Sequence, residues 1–205
     1  RVYEKDYHYG KEYEWLTLIS QSVQLEVPSI LAKGAPEDFY PCEWTVCKWI
    51  PGETAFKSNF EDEDAAAKTL AQFIQELRGV TTVDAPFARR GKPLGTQDRA
   101  VRTAIKALEG SIDPDKTVAE WEACLQAEQW TGKPTWFHGD LLPSNLLINE
   151  GSLTAVLDFG LSGVGDPSID LIPAWSIFSR VGRTAFLSEL NPDKDTLFRA
   201  RGWAL

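Results

Sequence analysis

Histidine and cysteine are scarce in this chain. His8 and His138 are the two imidazoles, which argues against a histidine-rich metal centre. The three cysteines, Cys42, Cys47 and Cys124, are odd in number and lack CxxC spacing, which argues against a disulfide scaffold and a zinc site. Buried, reduced thiols in a cytoplasmic protein are the expectation. No run of eighteen apolar residues occurs, so no transmembrane helix and no membrane partner are expected. The opening RVYEKDYHYGKEYEW is charged and aromatic and does not resemble a signal peptide. Bases are also in deficit, 21 against 30 acids, for a net charge of −9. Contact with a phosphate backbone needs a basic face, so nucleic acid is not an expected partner. An acidic surface suits a cationic small molecule through steering, although solubility alone is enough to explain the charge.

What is present is a 205-residue chain with 43% apolar and 25% charged residues, enough for one large domain or two small lobes with a real core. YGKEYEWLTLIS, from residue 9 to about 20, carries Trp15, Leu16, Leu18 and Ile19 and predicts a short amphipathic helix. EVPSILAKG reads as an entry into a strand. CEWTVCKWI (residues 42–50) alternates and is rich in β-formers, so it predicts a strand ended by PGE. DEDAAAKTLAQFIQELRGV sets Leu70, Phe73, Ile74 and Leu77 at helical spacing, with acids first and Arg78 and Gly79 last. A Pro/Gly/Arg loop at residues 85–97, helices near 97–109 and 116–129, a hairpin around 135–158 and a helical block from Ser168 follow. The expected fold class is α+β: a small mixed lobe (1–52), then a larger, mainly helical lobe (53–205) that carries the β-hairpin.

The chemistry concentrates at WFHGDLLPSNLLINEGSLTAVLDFG, residues 136–160. With Asn145 to Asn149 as one strand, residues 150–152 as the turn and Leu153 to Leu157 as the return, Asn145 comes back beside Asp158 at the hairpin's open end. Asp140 precedes the first strand by a short loop and stays at that end. Each of the three alone would more often be a turn residue. Together, two carboxylates and a carboxamide suit a hard divalent cation such as Mg2+, which takes only one or two protein carboxylates, and they leave one acid free to act on a hydroxyl.

His138-Gly139-Asp140, Asn145, and Asp158-Phe159-Gly160 thirteen residues beyond it resemble the catalytic loop and metal motif of protein-kinase-like phosphotransferases. Gly139 and the HGDLLPSNLL stretch resemble the aminoglycoside phosphotransferase family in particular, as do Gly165-Asp166-Pro167 with Asp170, and KEYEWL, VPSILAKG, KWIPGE and RARGWAL elsewhere in the chain. The resemblance implies a two-lobe protein-kinase-like fold with an incomplete N-terminal lobe. It also implies Mg2+-dependent transfer of the terminal phosphate of ATP or GTP to a hydroxyl of a small, aminoglycoside-like acceptor. Asp140 would orient the hydroxyl and accept its proton. Asn145 and Asp158 would hold Mg2+ on the phosphates. His138 and Asp170 would brace the loop, Cys47, Lys48, Trp49 and Ile50 would line the base pocket at the hinge, and Glu12 would match the glutamate that pairs with a phosphate-binding lysine.

The glycine-rich phosphate loop and that lysine are not in the sequence; Lys5 and Lys11 fall in or beside the first helix and are poor substitutes. A chain truncated at both ends is therefore expected, with a catalytically impaired kinase-like binding module as one alternative and a choline- or homoserine-kinase-like enzyme as another. Plainer readings stand beside the functional ones. Glu12 can be a solvated helix residue, Asp166 an Asp-Pro turn, Asp170 a helix cap, Trp49 core or hinge, and Arg89-Arg90 a solvated loop. Trp121, Trp175 and Trp203 read as core.

Overall fold

The computed structural model describes residues 9–88 and 90–205. Helix α1 (Tyr9–Ser20) leads to an antiparallel ribbon of β1 (Ile30–Gly34) and β2 (Trp44–Cys47). The strand expected over 42–50 is confined to these four residues of β2, whose side chains are all exposed. The alternating pattern therefore marks a ribbon edge and not a core strand. Beyond it, the Lys48 N–H still donates to the Ser29 carbonyl at 2.9 Å, and Ile50 turns inward against Leu147 and Ala155.

Strand β3 (Glu53–Thr54) crosses to the larger part of the molecule, and α2 (Glu63–Arg78) forms its central rod. Asp62 caps α2 by accepting the Ala65 N–H at 3.0 Å, and Glu63 and Asp64 complement the positive end of the helix dipole. Leu70, Phe73, Ile74 and Leu77 are fully buried, as their spacing demands. Helices α3 (Asp98–Ala107) and α4 (Pro114–Leu125) follow, close to the expected spans. Trp121 is fully buried at their junction, and its indole N–H donates to Asp98 at 2.8 Å.

Strand β4 (Thr135–Phe137) is separate from the hairpin of β5 (Leu146–Asn149) and β6 (Ser152–Val156). The hairpin forms a sheet in the order β3-β5-β6, whereas β4 pairs with β7 (Gly163–Gly165), a strand that the sequence did not lead us to expect. Glu26 fastens the N-terminal part to β6: its N–H reaches the Thr154 carbonyl at 3.0 Å, and its carbonyl receives the Val156 N–H at 2.9 Å. The last helical block divides into a 3-10 segment at Pro167–Leu171 and helices α5 (Pro173–Ser176), α6 (Arg180–Leu190) and α7 (Lys194–Ala204). The core gathers on α2, with α6 and the hairpin packed round it. Trp136 of β4 carries α1 through Trp15, ring centroids 5.2 Å apart. Trp175 and Trp203 are only half-buried, and of the three thiols only Cys124 is buried, where burial pushes its pKa up to about 11. Among the described residues no helix is long and apolar enough to cross a membrane.

Candidate active site

The hairpin draws the site together. Leu157 donates its N–H to the Asn145 carbonyl at 2.8 Å, so Asp158, the next residue, leaves the sheet beside Asn145. Asn145 itself belongs to a 3-10 turn at Pro143–Asn145 that precedes β5, not to the strand as expected. The turn has a simple cause, since Pro143 fixes its first φ. Asn145 is buried, and its amide nitrogen donates to the backbone carbonyl of Asp140 at 2.8 Å and to Asp140 Oδ2 at 2.9 Å. Asp158 adopts the left-handed conformation (φ +62°) and is exposed, with Oδ1 accepting the Gly160 N–H at 3.3 Å.

Beneath these residues lies a buried polar frame. Asp170 accepts the backbone N–H groups of His138 and Gly139 at 2.7 and 2.8 Å. It does not cap a helix; Asp166 takes that position by accepting the Ser168 N–H at 3.0 Å. Burial raises the Asp170 pKa to about 6, against the lowering effect of those two N–H groups and of the nearby Arg78 guanidinium. His138 is fully buried. Its Nε2 lies 3.0 Å from the Leu157 carbonyl, and its Nδ1 accepts the Asp140 N–H at 3.2 Å. That pattern fits the neutral tautomer with the proton on Nε2, and burial lowers the ring's pKa to about 4. One imidazole thus connects the loop of Asp140 to the chain just before Asp158.

Two arginines belong to this region, and neither was singled out for it from the sequence. Arg90 is not a purely solvated loop residue. Its Nη1 donates to the Gly139 carbonyl at 3.1 Å and lies 3.6 Å from Asp140 Oδ1. Arg199 of α7 forms a buried ion pair with Asp166 at 2.7 Å, so Asp166 is more than an Asp-Pro turn. No local spacing in RARGWAL reveals this pair, because the arginine's partner lies 33 residues away.

Of the residues expected at a hinge, Cys47 to Ile50, it is Ile50 that packs on the hairpin, against Leu147 and Ala155. Cys47 is exposed, Lys48 pairs with Glu26 at 3.0 Å, Trp49 is 83% exposed and so is not core, and Ile50 is buried. Glu12 falls in α1, but its side chain lies outside the described residues, as do Lys5 and the side chain of Lys11.

The hairpin sets Asn145 and Asp158 beside Asp140, and the fold that carries them is of the protein-kinase-like phosphotransferase class. The chain belongs to the phosphotransferase enzyme family, whose model matches residues 4–203. It is similar to the aminoglycoside 3'-phosphotransferase of Salmonella typhimurium, with 26% identity over 140 residues, 65% of this chain and 52% of that protein. The chain thus spans about half the length of the curated relative. Among solved structures, the GDP complex of wild-type aminoglycoside 2'-phosphotransferase-IIIa superposes with a TM-score of 0.72 at 19% identity, covering 95% of this chain and 70% of that one. A macrolide 2'-phosphotransferase from Brachybacterium faecium gives 0.63 at 18% identity, covering 93% and 68%. These likenesses bear out the α+β, kinase-like fold.

Proposed function

We propose that the protein transfers the terminal phosphate of ATP or GTP to a hydroxyl of a small, cationic, aminoglycoside-like acceptor. The observation that carries this is the placement of Asn145 and Asp158 on one hairpin end with Asp140 hydrogen-bonded to Asn145. In the reaction, the acceptor oxygen bonds to the γ-phosphorus and the bond to the β–γ bridging oxygen breaks. The nucleoside diphosphate leaves with that electron pair, and the hydroxyl proton passes to the Asp140 carboxylate. Asp140 needs no special basicity for this, because it chiefly orients the hydroxyl and takes the proton late.

The donor set fits Mg2+. Asp158 presents an exposed carboxylate, and the Asn145 amide has its nitrogen committed to Asp140, while its oxygen accepts the Ser144 hydroxyl at 3.3 Å and keeps a second lone pair for a cation. Among the described residues no three His, Cys, Asp or Glu side chains cluster as a self-sufficient metal site, and Mg2+ needs none when phosphates complete its shell. When bound, Mg2+ neutralises charge on the phosphates. His138 and Asp170 would brace the loop without touching the reacting atoms. Cys47, Lys48, Trp49 and Ile50 would meet the base, and Glu12 would pair with a phosphate-binding lysine. A lobe division near residue 52 is supported by the pairing of β3 with β5. Three free cysteines suit the cytoplasm.

The test is coupled release of ADP or GDP against kanamycin, gentamicin, a macrolide, choline and homoserine. Asp140→Asn is expected to abolish transfer and leave Mg-nucleotide affinity nearly intact, whereas Asp158→Ala weakens that affinity in calorimetry. Parent-like turnover in Asp140→Asn would show that another group takes the proton, and a fold that binds nucleotide but turns over none of the acceptors would favour a binding module.

A further inference from the structure

Arg90 is held at the catalytic loop by a built feature of the fold. Pro86 and Gly91, on either side of it, are both tied to β7 and its end. Val164 donates its N–H to the Pro86 carbonyl at 2.9 Å, and Asp166 donates to the Gly91 carbonyl at 3.4 Å. The approach is close enough that a Cβ on Gly165 would lie 2.8 Å from the Gly91 carbonyl oxygen, so a side chain there would push this strap away. Between the two ties, Arg90 turns its guanidinium to the Gly139 carbonyl (3.1 Å) and toward Asp140 Oδ1 (3.6 Å).

The consequence concerns the two oxygens of Asp140. Oδ2 accepts from the Asn145 amide at 2.9 Å, and Oδ1 faces Arg90. The carboxylate is bracketed, and each oxygen keeps a lone pair for an incoming hydroxyl. Asn145 is also the residue that would turn its amide oxygen to a cation. Arg90 holds the carboxylate from the opposite side, independently of that cation, and grips the Gly139 carbonyl as well. A planar guanidinium with several donors can hold both acceptors at once, whereas an ammonium cannot hold them in one fixed geometry.

We propose that Arg90 is a positioning residue for phosphoryl transfer, fixing the Asp140 carboxylate and the Gly139 carbonyl from the strap along β7. This rests on the reading of Asp140 as the proton acceptor. Misplacing a reacting group by about 1 Å can cost on the order of 10²-fold in rate. In the full chain, with the acceptor that gives turnover in the panel above, Arg90→Ala is expected to lower kcat about 10²-fold. The nucleotide KM and Mg-nucleotide Kd should stay within about twofold, because the guanidinium touches neither metal-facing side chain. Arg90→Lys should recover only part of the loss, and millimolar guanidinium ion should partly restore the alanine variant. Parent-like kcat in Arg90→Ala alongside an inactive Asp140→Asn overturns the proposal and leaves the catalytic reading standing. Parent-like turnover in Asp140→Asn overturns the reading itself. If Arg90→Ala does not fold, Arg90→Gln decides by the same split, with retained kcat against the proposal and a selective loss of kcat for it.

Discussion

Replacing Gly139 with alanine probes the His138–Asp140 loop without needing a substrate. Gly139 sits at φ +81°, where an L-residue is strained, and its Cβ would lie 2.8 Å from the Leu161 carbonyl oxygen and 3.2 Å from the Phe137 ring. The left-handed backbone costs about 1–2 kcal/mol. Forcing a methyl against a fixed carbonyl and a buried ring adds about 1–3 kcal/mol. The neighbours cannot easily give way. Phe137 is fully buried in β4, and the Gly139 backbone is held from both sides by Asp170 at 2.8 Å and Arg90 at 3.1 Å. The sum is a loss of about 2–5 kcal/mol, a large share of the roughly 5–15 kcal/mol typical of a domain. With a slope of about 2 kcal/mol per molar urea, the unfolding midpoint should fall by about 1–2.5 M. The assay is equilibrium urea unfolding followed by tryptophan fluorescence. A midpoint within about 0.2 M of the parent, with an unchanged slope, would refute the reasoning, since it would mean that the loop accommodates a side chain at little cost.

Three further outcomes follow from the buried charges. Arg199→Met strands the Asp166 carboxylate and should cost about 3–5 kcal/mol in urea unfolding, since both side chains are 6% exposed and paired at 2.7 Å. Asp166→Asn combined with Arg199→Met should recover much of that loss, because it keeps the cap on Ser168 and removes the orphaned charge; equal losses in single and double variants would count against the pair as the cause. Asp170 has a folded pKa raised to about 6 from 3.8. Its contribution to stability is fully present below the unfolded pKa and is lost as pH rises through the folded one. The stability of Asp170→Asn relative to the parent should therefore climb by about 2 kcal/mol between about pH 4 and 6 and level off above about pH 7, the limiting slope being about 1.36 kcal/mol per unit. A difference that is flat across that window, measured by thermal melts at matched pH, would show that Asp170 is not buried as a charge.

Local pattern and tertiary placement divide the molecule unevenly. Leu70, Phe73, Ile74 and Leu77 recur at the helical period and are buried together on α2, because a helix period alone decides which face is apolar. The return of Asp158 to Asn145 was likewise legible, since a tight hairpin leaves no other place for its ends. The strand at 42–50 was overread. Alternation signals a pleat but cannot tell a core sheet from an exposed ribbon, and β2 is exposed on both faces. Strand β7 was missed because GVG is too short and too rich in glycine to carry a strand pattern; its partner β4 supplies the order.

By itself, the sequence determined the acidic, cysteine-poor composition, the helical face of α2 and the hairpin that places Asn145 and Asp158 near Asp140, because each depends on spacing within a short stretch of chain. Only the tertiary structure decided that Arg90 reaches Asp140 and Gly139, that Arg199 neutralises Asp166, and that Asp170 receives the N–H groups of His138 and Gly139. Those contacts join residues 33 and 32 apart in two of the cases, where no local period operates and packing alone sets which charge meets which.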